Sequence, residues 1–259
     1  MISNPLSVKI LKTRSDLEKF TSHEIIEVIR KSVKEKSRCS IALSGGETPK
    51  NVYRQMGLDA AMSHADWSRV HIFFCDERSV PPAHPDSNYG MADRVWFSRS
   101  AFPHENIHRI KGEIEPHSAA REYELEIKKY FGSNPVVFDF ILLGVGEDGH
   151  TASLFPGSEA AAEKQALVSA VPVQSLNSWR VTMTFPVLNN ARDIMILAAG
   201  SRKANVIQRI LDASAPDLKL PAAGIRPGKG TVQWMIDEEA GSLLKDHSGI
   251  LIKRISLTE

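Results

Sequence analysis

The amino-acid sequence predicts an α/β protein in which short buried strands alternate with helices around a mostly parallel sheet. Three observations carry that prediction. Apolar runs such as 140–143 and 193–198 have the length and residue types of strands buried on both faces. Several of these runs end in glycine turns, at Gly45 and Gly46, at Gly144, Gly146 and Gly149, and at Gly200. Between them lie longer segments whose apolar residues recur at helical spacing. The chain has 259 residues, 42% hydrophobic and 24% charged, which is enough to build a sizeable core. No internal repeat or linker-like segment divides it, so residues 1–259 are read as a single α/β domain.

Taken in order, residues 7–11 read as the first strand. Asp16 can cap a helix running to about Lys36, with Leu17, Phe20, Ile25, Val28 and Ile29 on its apolar side. Residues 40–43 form a second strand that runs straight into Ser44-Gly-Gly-Glu-Thr-Pro49. There Thr48 is placed as a helix cap and Pro49 at the first helical position. Residues 69–75 are a third strand, followed by the charged Asp76-Glu-Arg78 and a proline-rich loop over 80–89. Helices are expected from Asn88 to about Phe97 and from Pro116 to Tyr130. Beyond the strand at 140–143, residues 159–165 read as a short helix or loop, and 166–173 and 179–184 as strands. The run 193–198 leads through Gly200-Ser-Arg-Lys-Ala204 into a helix ending near Leu211. Gly224-Ile-Arg-Pro-Gly-Lys-Gly230 looks like a nucleotide loop, but it is one residue short, ends in glycine and leads into a strand at 231–236. It is a turn.

Composition narrows the function. A net charge of +1 gives no reason to expect nucleic acid or an acidic membrane surface as a partner. Cys39 and Cys75 each sit beside an apolar run and read as buried free thiols of a reducing compartment. No apolar stretch reaches the roughly 18 to 20 residues of a membrane-spanning helix, and residues 1–6 lack the pattern of a secretory signal. A cytoplasmic protein, a monomer or weak homo-oligomer, is the expectation. No metal site is expected either, since the nine histidines are scattered and C-x-x-C is absent.

The chemistry concentrates at strand ends, where open α/β sheets bind ligands. Asp148 and His150 flank Gly149 in the turn after 140–143, a general base beside its orienting carboxylate. Histidine's ordinary pKa of about 6.5 suits that task near neutrality. The spacing Gly144-Val-Gly-Glu-Asp-Gly149 also fits G-x-G-x-x-G, but no acidic residue closes the following strand and Pro156 cuts the segment short. The dinucleotide reading is rejected. A tight turn at Gly45 and Gly46 could serve only as a connection; flanking Ser44 and Thr48 favour a phosphate cradle at a helix start. Lys203, at the start of another helix, reads as a phosphate ligand, because a cation there is disfavoured without an anion. With Asp76, Arg78 and Arg180 these parts suit a phosphorylated small molecule, and the residues alone go no further than a sugar-phosphate hydrolase or isomerase.

Asp148-Gly-His-Thr-Ala-Ser-Leu-Phe-Pro156, preceded by Leu142-Leu-Gly-Val-Gly146, resembles the signature of the 6-phosphogluconolactonase family. Other blocks match in order: Leu43-Ser-Gly-Gly-Glu-Thr-Pro49, Asp76-Glu-Arg-Ser-Val-Pro81, Ser87-Asn-Tyr89, Arg180-Val-Thr-Met-Thr184, Gly200-Ser-Arg-Lys-Ala204 and Thr231-Val-Gln-Trp-Met-Ile-Asp237. Glu47 and Val145 depart from the family's commoner residues. The resemblance implies a modified Rossmann-like fold shared with glucosamine-6-phosphate deaminase and ribose-5-phosphate isomerase. It implies hydrolysis of 6-phospho-D-glucono-1,5-lactone without a cofactor. His150, oriented by Asp148, would activate water; the Gly45–Gly46 N–H groups or Arg78 would stabilise the oxyanion; Ser44, Thr48, Arg180 and Lys203 would hold the phosphate. Two alternatives remain. A deaminase would resemble Asp-Gly-His-Ile-Ala-Phe-Asn-Glu, with a second carboxylate shortly after the histidine, where this chain has Ser153, Leu154 and Phe155. A sugar-phosphate sensor would need the cradle but not His150 beside Asp148.

Overall fold

The computed structural model describes residues 6–59, 66–100, 102–174, 177–211, 217, 219–245 and 250–257. Residues 1–5, part of the stretch read for a secretory signal, lie outside them. The strands are β1 (Leu6–Leu11), β2 (Cys39–Leu43), β3 (Val70–Phe74), β4 (Asp76–Arg78), β5 (Phe140–Gly144), β6 (Val168–Val173), β7 (Ser178–Met183), β8 (Asp193–Ala198), β9 (Thr231–Asp237) and β10 (Ile250–Ile255). The α-helices are α1 (Arg14–Lys36), α2 (Glu47–Asp59), α3 (Asn88–Val95), α4 (Pro116–Phe131), α5 (Glu159–Ala162), α6 (Phe185–Leu188) and α7 (Ala204–Leu211). None is long and apolar enough to cross a membrane.

Seven strands form one sheet in the order β10-β1-β9-β8-β5-β2-β3. Every neighbouring pair in it is parallel. The central strands are apolar on both faces, and β2 is buried at all five positions, as a parallel sheet covered on both sides requires. The remaining three strands form a separate antiparallel sheet, β4-β7-β6. The segments 166–173 and 179–184 are therefore strands as expected, but they make a hairpin outside the parallel sheet. Buried apolar residues of both sheets belong to one continuous cluster, from Val8 and Trp234 through Phe73 and Phe138 to Val171 and Met183.

Helix ends differ from expectation in instructive ways. The α1 cap is Thr13, not Asp16: Asp16 occupies the third helical position and completes a reciprocal capping box with Thr13. α2 begins at Glu47, and Lys50 N–H closes onto the Gly46 carbonyl at 3.0 Å, so Thr48 and Pro49 lie inside the first turn. Pro49 is tolerated there because first-turn N–H groups have no partner within the helix. β10, unforeseen in the sequence, pairs along β1 and extends the sheet. At the amino ends of the strands, the buried Asp139 accepts from Ser40 N–H (3.0 Å) and pairs with Lys36 and with Arg192 Nε (3.3 Å). That carboxylate ties the end of α1 to β2, β5 and β8.

Candidate active site

β8, β5, β2 and β3 are consecutive in the sheet, so the turns after them stand side by side along its carboxyl edge. The chain leaves β2 towards β3 but leaves β5 in the opposite direction, towards β8 and β9. A crevice opens where such connections diverge, and ligands bind there in α/β sheets. The cleft found at this place has a volume of about 530 Å³. It is lined by Ser44, Gly45, Gly46, Thr48, Asp76, Arg78, His150, Arg180 and Lys203, and by Arg14, Phe155 and Arg202. The turns named by the sequence thus converge, although they are spread between residues 44 and 203.

The β5 turn builds the acid–base pair. Gly149 has φ +83°, a conformation that lets the chain double back and place His150 over Gly146. His150 Nδ1 lies 2.5 Å from Asp148 Oδ1, and His150 N–H also bonds that oxygen at 3.2 Å. Asp148 does not line the cleft itself; it holds the ring that does. With Nδ1 donating to the carboxylate, Nε2 is left as the basic nitrogen. Phe155 packs on the imidazole, ring centroids 4.8 Å apart, and no second carboxylate bonds it among the described residues.

On the β2 side, neither Gly45 nor Gly46 N–H has a hydrogen-bond partner among the described residues, and Gly46 has φ +107°. Both are free donors at the start of α2. Ser44 plays a different part from the one expected. Its hydroxyl donates to the Leu142 carbonyl at 2.7 Å, and its own carbonyl receives the Tyr53 hydroxyl at 2.7 Å. Its single proton is spent on joining β2 to β5, so it buttresses the turn. The Thr48 hydroxyl makes no hydrogen bond among the described residues and stays available.

The segment Asp76-Glu-Arg78 is a strand, which separates its three charges. Arg78 lies directly opposite Arg180 across the antiparallel β4–β7 pair. Both Nε atoms are buried without a hydrogen-bond partner among the described residues, and Arg78 Nη1 is held by the Asp86 carbonyl at 2.8 Å. Burial, reinforced by the facing Arg78 charge, lowers the Arg180 pKa. Like charges opposed across a ladder are unfavourable until an anion joins them. Asp76 is buried beside them, its carboxylate oriented by Ser153 Oγ (2.7 Å) and Asn88 Nδ2 (3.3 Å). Glu77 points away from the cleft; it accepts from the N–H groups of Arg78, Asn88 and Tyr89 and from Ser87 Oγ, fixing the start of α3. Burial raises its pKa against those bonds.

The third wall corrects a further expectation. The junction at 200–203 begins as a 3-10 turn, Ser201–Lys203, ahead of α7. Its first two N–H groups do not await an anion, because Gly200 donates to Asp237 and Ser201 to Glu239. What this wall offers the cleft is side chains. Lys203 is half-buried without an ion pair among the described residues; burial lowers its pKa, with Glu147 acting in the opposite sense. Arg202, unremarked in the sequence, lies 3.5 Å from Glu147.

One histidine pair also escaped the sequence reading. His104-Glu-Asn-Ile-His108 has the H-E-x-x-H spacing of a zinc helix. Here His104 lies in a 3-10 turn and His108 beyond it, bonded to His71 (3.1 Å) and Glu126 (2.7 Å). The two do not share a helix face, and no cluster of three potential metal ligands occurs among the described residues.

With this geometry in view, the relationships are consistent. Residues 12–234 match the family model described as glucosamine-6-phosphate isomerases/6-phosphogluconolactonase. A 6-phosphogluconolactonase of Nostoc sp. is 36% identical over 242 residues, covering 92% of this chain and 98% of that protein. The solved 6-phosphogluconolactonase from Trypanosoma cruzi superposes with a TM-score of 0.84 at 29% identity, over 95% of this chain and 99% of that one. A monomeric glucosamine-6-phosphate deaminase shares the fold, with a TM-score of 0.77 at 19% identity over 92% of this chain and all of its own. The chain belongs to the family of glucosamine-6-phosphate isomerases and 6-phosphogluconolactonases.

Proposed function

We propose that this protein hydrolyses 6-phospho-D-glucono-1,5-lactone to 6-phospho-D-gluconate, the second step of the oxidative pentose phosphate pathway. The observation that carries the proposal is the 2.5 Å pairing of His150 Nδ1 with Asp148 in a cleft walled by Arg78, Arg180 and Lys203. Asp148 keeps the proton on Nδ1, and Nε2 takes one from water as the oxygen attacks the lactone carbonyl. The Gly45 and Gly46 N–H groups receive the charge that develops on the carbonyl oxygen, with Arg78 adding its field. As the C1–ring oxygen bond breaks, protonated His150 returns its proton to the departing ring oxygen. The acid formed then ionises. The phosphate is held by Thr48, Arg180 and Lys203 at the start of α2, and Asp76 accepts from a sugar hydroxyl. No cofactor enters this scheme.

Relatives named 6-phosphogluconolactonase, matched over most of their length, support the reaction class. The deaminase alternative is disfavoured by the site itself, since Phe155 rather than a second carboxylate packs against His150 among the described residues. A pure sensor would not need the Asp148–His150 pair. Coupling fresh lactone to NADPH formation from 6-phosphogluconate, with the spontaneous rate subtracted, tests the proposal. His150→Ala should lose about 100- to 10,000-fold in rate while remaining folded. An unchanged rate would remove His150 from the mechanism and leave the sensor reading standing.

A further inference from the structure

We infer that Asp237 is a positioning residue for phosphate recognition, acting through the turn that carries Lys203. The inference rests on the reading of the cleft as a sugar-phosphate site. Asp237 is the last residue of β9, 3% exposed, and does not line the cleft. Its carboxylate nevertheless controls one cleft wall. Gly200 N–H donates to both oxygens, at 3.0 and 2.9 Å, and Ala240 N–H donates to Oδ1 at 2.8 Å. Glu239 Oε2 takes the next N–H, that of Ser201, at 3.2 Å. The turn then closes on itself, Lys203 N–H to the Gly200 carbonyl at 3.0 Å, with Gly200 at φ +88°.

These bonds settle what the turn presents to a ligand. Its first two backbone donors, at Gly200 and Ser201, are taken by the protein's own carboxylates, so the charge it offers the cleft is chiefly that of the Lys203 ammonium. That ammonium is half-buried without an ion pair among the described residues, so the backbone of its turn sets where it stands in the cleft. Both Asp237 oxygens accept from N–H groups, so an amide in their place must face one of those donors with a donor of its own. Asp237→Asn should therefore shift Gly200 and, with it, Lys203, without touching Asp148, His150 or the Gly45–Gly46 turn.

The test is a double-mutant cycle with Lys203→Ala. Asp237→Asn should raise KM for the phosphorylated lactone about tenfold and leave kcat within about twofold. In the Lys203→Ala background the same substitution should add nothing. An equal loss in both backgrounds would show a general structural effect and overturn the inference. Glu239→Gln, at an exposed residue, provides a second variant should Asp237→Asn fold poorly: it should act in the same direction, more weakly, and also only while Lys203 is present. If the wild type fails to accelerate lactone opening, the proposed function fails. The cycle is then read as protection by inorganic phosphate against heat denaturation, which Asp237→Asn and Lys203→Ala should each reduce if the positioning role holds, and which Asp237→Asn should leave intact if it does not.

Discussion

A methyl group on Gly146 would stand 2.2 Å from His150 Nδ1 and 2.4 Å from Asp148 Oδ1, closer than any real contact. The acid–base pair is thus folded down onto a backbone position that must lack a side chain. Gly146→Ala should separate the pair and lower kcat about 100-fold or more, as should Asp148→Asn, with KM little changed. Steady-state kinetics on both variants, with circular dichroism to verify folding, tests this; a Gly146→Ala enzyme of normal kcat would break the link between packing and catalysis. Arg180 poses the opposite trade. Facing Arg78 with its Nε unpartnered among the described residues, it is expected to destabilise the protein when no anion is bound. Arg180→Gln should raise KM on the order of tenfold and yet stabilise the phosphate-free protein by about 0.5 kcal/mol. Calorimetry in phosphate-free buffer reads the sign, and a lower melting temperature would contradict it.

At the scale of elements, helix termini carry information that composition alone does not. α4 starts at a cap built by Glu115, whose oxygens accept from His117 N–H at 2.9 Å and from Ser118 N–H and Oγ, both at 2.8 Å. The His117 bond first, then those from Ser118, hold the Glu115 pKa down at about 2. A carboxyl group depressed in the folded state adds stability above its unfolded pKa, and that contribution disappears as pH falls through the folded value. Glu115→Gln should therefore melt below the wild type at neutral pH, and the difference should close between about pH 4.5 and 2. Melting curves across that range decide it; a gap that persists at pH 2 would mean that the carboxylate charge is not what the cap uses. The same logic of terminal N–H groups separates the two cleft turns. At α2 they are free for a ligand among the described residues, whereas ahead of α7 the protein has satisfied those of Gly200 and Ser201 with its own carboxylates.

Across the whole molecule, the parallel sheet keeps stability and chemistry at opposite ends. The cleft lies beyond the carboxyl ends of β8, β5, β2 and β3, and Asp139 binds the amino ends of β2, β5 and β8 together. Strands of five to six residues put roughly 17–20 Å between those ends. Asp139→Ala removes a buried acceptor from Ser40 N–H and leaves two cations unpaired, at a cost of about 2–3 kcal/mol. Urea unfolding should show that loss, while kcat and KM of the folded enzyme stay at wild-type values. A changed kcat would show that strain passes along the strands.

Strand positions and the Asp148–His150 pair were legible because they are local: apolar runs of strand length, glycine-rich turns, and two side chains two residues apart. The sequence by itself determined that the protein is α/β, where its main strands lie, which turns carry the chemistry, and the family whose motif blocks it resembles. Only the tertiary structure decided what those turns do. The Ser44 proton goes to Leu142, the 200–201 N–H groups to Asp237 and Glu239, and Arg78 faces Arg180, each through partners distant in sequence. The 166–173 and 179–184 strands show the same limit, since alternation marks a strand but does not name the sheet it joins. β10 went unseen because an edge strand alternates exposure without a long apolar run. Hydrogen-bond donors are allotted by whichever acceptor folding brings near, and that allotment is a property of the assembled sheet rather than of any one segment.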